Sequence, residues 1–337
     1  MHSSLKAKAR VLKPAKLIGL RAAGLILITG MLASCTPSYF PMEEQTTEPR
    51  IDGDVFIARD GTALSLTAWG PRKEPKKIVI AAHSFGDFRA AFALIGEHLA
   101  SQDIAVWAYD QRGFGDGPRR GLWSDKKTLV QDFQDFIVAV RTVAGQEQPF
   151  YLLGESMGAA VVIAALTTNE IPVPDAVILS GPGVRENRPR RYWYNVGLWI
   201  LTHIWPSYEA SVDRPYDVRL AETHAKRWSE DPRIIDQVRM DTYFGLIQLS
   251  DLASDTASSV KVPTLVLFGS EDTQIHPKSL CALMDRLDSN GTLKLFQGKP
   301  HLMFQVKEQD IVLPLISRWL ENFGVGLKSD QSSFCAV

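Results

Sequence analysis

The sequence predicts an α/β fold with a mainly parallel sheet covered by helices on both faces, and three features of the 337-residue chain point there. Short apolar runs rich in β-branched residues recur: "KIVIAAH" (77–83), "IAVWAYD" (104–110), "PFYLLG" (149–154), "DAVILSG" (175–181), "PTLVLFG" (263–269) and "TLKLFQG" (292–298). Near-continuous apolar runs of this length suit strands buried on both faces. The intervening segments, such as "DKKTLVQDFQDFIVAVRTVAG" and "AAFALIGEHLASQ", set apolar residues three and four apart, as crossover helices do. Strand and helix alternate along most of the chain, the order expected of a parallel sheet.

One stretch breaks the alternation. Residues 184–254 carry no strand signal but several candidate helices, and read as a helical cap inserted after the sixth strand, dividing the core into 51–183 and 255–325. Its Trp193, Trp199, Trp205 and Trp228 either pack the lobe's own small core or face a substrate, since large aromatics serve both purposes. Residues 36–50, "TPSYFPMEEQTTEPR", have no apolar periodicity and read as a tether, and 326–337 as a flexible tail.

The first 35 residues differ in kind. Six cationic side chains, from Lys6 to Arg21, precede an apolar run from Ala22 to Leu32, with no acidic residue up to Cys35. That is the pattern of a secretory signal peptide. A membrane-spanning helix is the alternative, but the uncharged stretch has about 14 residues, against roughly 20 needed to cross a bilayer. The end, "LASC", resembles the bacterial lipoprotein box, which implies cleavage before Cys35, lipidation of Cys35, and a protein lipid-anchored in the bacterial cell envelope facing the periplasm. Thr36 after that cysteine favours the outer membrane on the same resemblance. Without residues 1–35 the chain has 31 Lys and Arg against 38 Asp and Glu, which gives no electrostatic reason to expect nucleic acid as a partner. Only Cys281 and Cys335 then remain; one bridge between them is possible, though nothing in their spacing demands it.

The stretch "YLLGESMGAA" (151–160) carries the chemistry. Its G-x-S-x-G falls between an expected strand and the apolar helix beginning "AAVVIAAL", the strand–turn–helix setting of a nucleophilic serine, here Ser156. A serine hydroxyl attacks at neutral pH only if a base takes its proton, and that base needs an orienting carboxylate. Both belong in later loops at the carboxyl ends of strands, in the order serine, acid, histidine. "SEDTQIHP" supplies Asp272, with Glu271 as the neighbouring alternative, and "KPHLMF" supplies His301. His83, His98, His203, His224 and His276 sit less suitably. Charge developing on an ester's carbonyl oxygen needs N–H donors; the backbone amides of Met157 and Phe85 are the candidates. No ligand-spaced His/Cys/Asp cluster calls for a metal, and no cofactor is required.

From about residue 50 to 325 the chain resembles the monoacylglycerol lipase and lysophospholipase group of α/β-hydrolases, on "AHSFGDF", "YDQRGFGDGPRRG", "GESMG", "GSEDTQIHP" and "GKPHLMF". It departs at Ser84, where that group commonly has glycine, and at Phe114, where it usually has histidine. The resemblance implies a serine carboxylester hydrolase that forms an acyl-enzyme on lipid-like monoesters. Two other readings stand beside it: an aminopeptidase of the same fold, with Glu186, Glu209 or Glu222 holding a substrate's free amine, and a non-catalytic binding lipoprotein.

Overall fold

The computed structural model describes residues 36–336 except 169, 187, 308 and 324–325. The expected signal peptide and Cys35 lie outside the described residues. Among the described residues nine strands form the main sheet: β1 (Arg50–Asp52), β2 (Val55–Ile57), β3 (Ala63–Trp69), β4 (Lys77–Ala82), β5 (Ile104–Tyr109), β6 (Phe150–Glu155), β7 (Ala176–Ser180), β10 (Thr264–Gly269) and β11 (Gly291–Phe296). Their order is β1-β2-β3-β5-β4-β6-β7-β10-β11; β1 to β3 join antiparallel, and everything from β5 to β11 is parallel. All six apolar runs of the sequence are strands of the parallel part.

Alternation along a strand explains why those runs had to be apolar throughout. In β4, Ile78, Ile80 and Ala82 belong to one buried cluster while Val79 and Ala81 belong to another on the opposite face. The first cluster takes in α2 (Lys126–Ala144), α3 (Met157–Ala165) and α7 (Pro277–Leu287), through Phe133, Val161 and Leu283. The second takes in α1 (Ala93–Ala100) and α8 (Gln309–Asn322), through Leu99 and Trp319. Each such fully buried Leu or Phe contributes roughly 1.5–3 kcal/mol relative to exposure. Helix α2 starts where Asp125 accepts the Thr128 N–H at 2.7 Å, an N-cap that the sequence carries in plain view.

Four readings of the sequence are corrected. The cap follows the seventh strand, because β1 to β3 precede the apolar runs; Leu64 and Leu66 are buried in β3 while Ala63 is exposed, a period-two signal weaker than the continuous runs. Nor is the cap wholly helical: beside α4 (Arg188–Ile204), α5 (Glu222–Glu230) and α6 (Met240–Thr256), it holds a two-stranded antiparallel pair, β8 (Glu209–Ser211) with β9 (Gln237–Arg239). The segment 36–50 is not free of the body. Ser38 donates its amide to Asp241 Oδ2 at 3.0 Å, Phe40 is buried and its N–H bonds the Trp123 carbonyl at 3.2 Å, and Met42 donates to Thr128 Oγ1 at 2.8 Å.

The C-terminal segment is also fixed. Leu293 and Leu295, on the outer edge of β11, donate their amides to Ser329 Oγ (3.1 Å) and Asp330 Oδ2 (3.0 Å), so polar side chains occupy the sheet edge. The short α9 (Gln331–Phe334) follows, Phe334 packs on Phe268, and Cys335 is bridged to Cys281 of α7 with Cα atoms 5.6 Å apart. A composition of Ser, Asp, Gln and Lys conceals these attachments.

The bridge closes a loop with a sequence separation of 54 residues. Reducing it is expected to cost about 2–4 kcal/mol. Calorimetry with and without dithiothreitol checks this: wild type should lose several degrees in Tm under reduction, and Cys335→Ser should show the lowered Tm in both conditions.

Candidate active site

Strand β6 delivers Ser156 to a turn whose backbone only a forced geometry maintains. Ser156 has φ 54° and ψ −113°, a region that costs a non-glycine residue about 1–3 kcal/mol. Its N–H donates to the Ser180 carbonyl at 2.9 Å, and its own carbonyl accepts from Ala159 (3.0 Å) and Gly183 (2.9 Å). A Cβ at Gly154 would lie 2.6 Å from Ala159 Cα, and one at Gly158 would collide with the Ala82 carbonyl oxygen. Both glycines of the motif are therefore required by space.

The loops after β10 and β11 bring the acid and the base together. Asp272 Oδ2 accepts from His301 Nδ1 at 2.6 Å, and Asp272 Oδ1 accepts the Gln274 and Ile275 amides at 2.7 and 2.9 Å. The Asp272 side chain is inaccessible to solvent. Glu271, the alternative acid, turns outward and pairs with Arg219 at 2.8 Å. His301 packs against Gly181 and the Ser156 carbonyl against Gly183, so both ends of the turn that follows β7 touch the site. Ser156 and His301 line one cavity of about 1130 Å³ with Phe85 and Met157. No hydrogen bond joins the Ser156 hydroxyl to the imidazole in this structure; such bonds are commonly long outside the reacting complex and tighten within it. The other histidines have separate tasks. His83 is buried between the Ser84 carbonyl and the Gln111 amide, His98 bonds Ser317, His203 stacks on Trp199, and His276 accepts the Lys278 N–H at the start of α7.

Phe85 and Met157 both line this cavity, and among the described residues neither backbone N–H donates to another protein group. At Met157 that follows from its place as first residue of α3, whose leading N–H groups have no intrahelical acceptor. The Phe85 loop is held from two sides. Phe114 packs edge-on against both Phe85 and His83 at 5.4 and 5.6 Å, filling the position where a histidine was usual. From the cap, Ile235 donates to the Gly86 carbonyl at 3.0 Å and Arg227 pairs with Asp87.

Beneath the site lies a buried polar cluster that sequence spacing does not reveal. Gln305 Nε2 donates to Glu155 Oε2 at 2.8 Å and to Asp87 Oδ2 at 3.1 Å, while its Oε1 accepts from Arg227 at 2.7 Å. Burial opposes the charge of Asp87, but Arg227 overcomes it and holds the carboxyl below the usual range. Burial also pushes Glu155 up to about 7, with the Gln305 hydrogen bond opposing it. Beside Arg227, His224 is driven down to about 4, chiefly by burial. A strand residue directly before the nucleophile, a loop residue, a cap arginine and a glutamine four positions after His301 share one network, so only the tertiary fold unites them. Of the three carboxylates considered for an amine-binding role, Glu186 lines the cavity; Glu209 is exposed on β8, and Glu222 pairs with Lys226. Among the described residues no group of three or more His, Cys, Asp or Glu is placed to hold a metal.

Glu155 gives a pH dependence with a defined sign. Its folded value near 7 exceeds that of a free glutamate, near 4.3, so between these limits the folded state holds more protons and stability falls as pH rises. Glu155→Gln has no charge to bury, and its stability relative to wild type should increase from pH 5 to pH 8 in urea unfolding.

Residues 73–310 match the family model described as serine aminopeptidase, S33. The chain is 24% identical over 280 residues to a monoacylglycerol lipase of Mycolicibacterium smegmatis, covering 79% of this chain and 95% of that protein. It is 26% identical over 275 residues to the human monoglyceride lipase, covering 78% and 88%. Among solved structures, the monoacylglycerol lipase of Paleococcus ferrophilus is similar with a TM-score of 0.61 and 22% identity, over 76% of this chain and 98% of that one. A soluble variant of the Saccharomyces cerevisiae monoglyceride lipase, in complex with a substrate analog, has a TM-score of 0.63 and 19% identity, over 84% and 98%. The strained serine turn, the sheet order and the matched span, which exceeds half the chain, agree: this chain belongs to the serine aminopeptidase S33 family of α/β-hydrolases.

Proposed function

We propose that the protein is a serine carboxylester hydrolase acting on lipid-like monoesters, of the monoacylglycerol or lysophospholipid class, through an acyl-enzyme. The observation that carries this is the Asp272–His301 pair opening onto the same cavity as a serine held at positive φ. In the reaction, His301 Nε2 takes the Ser156 proton as Oγ attacks the ester carbonyl, and Asp272 keeps Nδ1 protonated and stabilises the imidazolium. The Phe85 and Met157 amides receive the oxyanion. His301 returns the proton to the leaving alcohol, and water repeats the sequence on the acyl group to release the acid and restore Ser156. The lipase relatives, the large cavity and its apolar walls at Val184, Leu246 and Ile247 support a long acyl chain. On the strength of the leader sequence, the proposed setting is the bacterial envelope, with Cys35 acylated and the enzyme facing the periplasm, held by preference to the outer membrane.

The second reading is an aminopeptidase, favoured by the family description and by Glu186 in the cavity, where a carboxylate would meet a free amine. Assaying a monoacylglycerol beside an aminoacyl amide separates the two, and exclusive cleavage of the amide would reverse their order.

Labelling with a fluorophosphonate tests the nucleophile: wild type should label and Ser156→Ala should not, with esterase kcat lowered at least ~10³-fold. Failure of wild type to label beside a reactive control esterase would leave the binding reading in its place. Ser156→Gly should be equally inactive yet melt higher than wild type, because glycine adopts positive φ without strain.

A further inference from the structure

Of the cap's tryptophans, Trp193, Trp199 and Trp205 are exposed, whereas Trp228 of α5 lines the catalytic cavity. An arginine lies on its ring. Arg214, in the loop between β8 and α5, stacks its guanidinium on Trp228 at 4.3 Å and donates Nε and Nη2 to the Ile235 carbonyl at 3.3 and 3.2 Å. Ile235 is the residue whose N–H holds the Gly86 carbonyl, and a Cβ at Gly86 would lie 2.9 Å from Arg214 Nη2. The guanidinium is thus fixed against the loop that carries Phe85.

What it lacks is an anion. Arg185, Arg190, Arg191, Arg214 and Arg219 line the cavity. Arg185 and Arg191 pair with Asp251, Arg191 also with Asp255, and Arg219 with Asp217 and Glu271. Arg190 is exposed to water, as is Asp213, the neighbour of Arg214 in the chain. Arg214 itself is half-buried, and among the described residues it forms no ion pair and its Nη1 finds no acceptor. Burial lowers its pKa although the charges of Asp87 and Asp236 oppose this, and Asp87 is already paired with Arg227. A planar guanidinium held by stacking on a cavity wall, with hydrogen-bond donors to spare, suits the oxygens of a phosphate.

The cavity's residues divide by chemistry. Val184 follows β7 and Leu246 and Ile247 belong to α6, while Arg214 comes from a separate loop, so an acyl chain and a charged headgroup have different partners to meet. In a lysophospholipid one glycerol unit joins the ester oxygen to the phosphate. With the ester carbonyl at the Phe85 and Met157 amides, the phosphate stays within a glycerol's length of the loop that Arg214 touches.

We propose that Arg214 binds the phosphate of a lysophospholipid headgroup, so that a phosphate-bearing monoester is preferred over a neutral monoacylglycerol. This rests on the lipid-monoester reading and chooses between its two classes. The bond broken is still the carboxylic ester; the products are a fatty acid and the intact phosphate-bearing alcohol.

The test compares lysophosphatidylglycerol with monoacylglycerol of the same short acyl chain, both kept monomeric, with a neutral nitrophenyl ester as the reference for the catalytic centre. Wild type should favour lysophosphatidylglycerol in kcat/KM by at least ~10-fold, and Arg214→Gln should lower that ratio by a similar factor, mainly through KM, the scale of a charge-assisted hydrogen bond. The ratio is read because a loss transmitted through the Gly86 loop affects both lipids and cancels. Arg214→Lys keeps the charge without the fork and should fall between the two. Should Arg214→Gln fail to fold, as judged by Tm, the lysine variant and the wild-type preference decide in the same way. Glycerol 3-phosphate should compete with the nitrophenyl ester in wild type and less well in Arg214→Gln. An unchanged ratio in the variants would overturn the proposal, as would equal cleavage of the two lipids by wild type. Competition by glycerol 3-phosphate without a lipid preference would also overturn it, giving the site to a free phosphate. Cleavage of the nitrophenyl ester with neither lipid cleaved would instead overturn the lipid-monoester reading, and the proposal with it.

Discussion

The start of helix α3 passes so near the end of strand β4 that any side chain at position 158 would strike the Ala82 carbonyl. This approach leaves the chain no room to leave β6 by an ordinary turn, and the strain of that exit falls on Ser156. The hydrogen bonds that fix the Ser156 backbone then serve to hold an unfavourable conformation. Ser156 gains a fixed position at the carboxyl edge of the sheet, and Met157, the first residue of α3, lines the same cavity. Everything else at the site is arranged around a point set by that contact.

The second organising element is electrostatic and runs through the cap. Arg227 is the cation that lets Asp87 remain charged while buried, and Asp87 terminates the loop that carries the Phe85 amide. Gln305 links that loop to Glu155 and, through its own chain, to the His301 loop. Glu155, the loop that carries Phe85 and the loop that carries His301 are thus joined by hydrogen bonds with little access to water, where an unpaired member would be costly. The cap is accordingly tied into the framework around the cavity as well as lining it.

Much of this could be read from residue order. The strands were legible because burial on both faces demands unbroken apolar runs, and the meeting of Asp272 with His301 beside Ser156 because strand ends locate the loops that follow them. What escaped was whatever depended on a partner far away in sequence. Glu155, Asp87, Arg227 and Gln305 are individually unremarkable polar residues, and their cluster exists only after the cap closes on the core. Segment 36–50 and the C-terminal residues have the composition of linkers, yet the buried Phe40, the disulfide and hydrogen bonds to distant residues fix them. The tryptophans of α4 looked like core or substrate contacts because periodicity shows that a face is apolar, not which neighbour it meets.

The attachments of the first described residues carry a mechanical consequence. Ser38 is held by a cap residue, Phe40 by the loop at Trp123 and Met42 by the first turn of α2, all before the chain reaches β1. Tension applied at the amino end would be taken up one contact at a time, first by the cap, then by the core helix. The sheet's outermost strand, three residues long and the easiest to peel, is thereby relieved of the load.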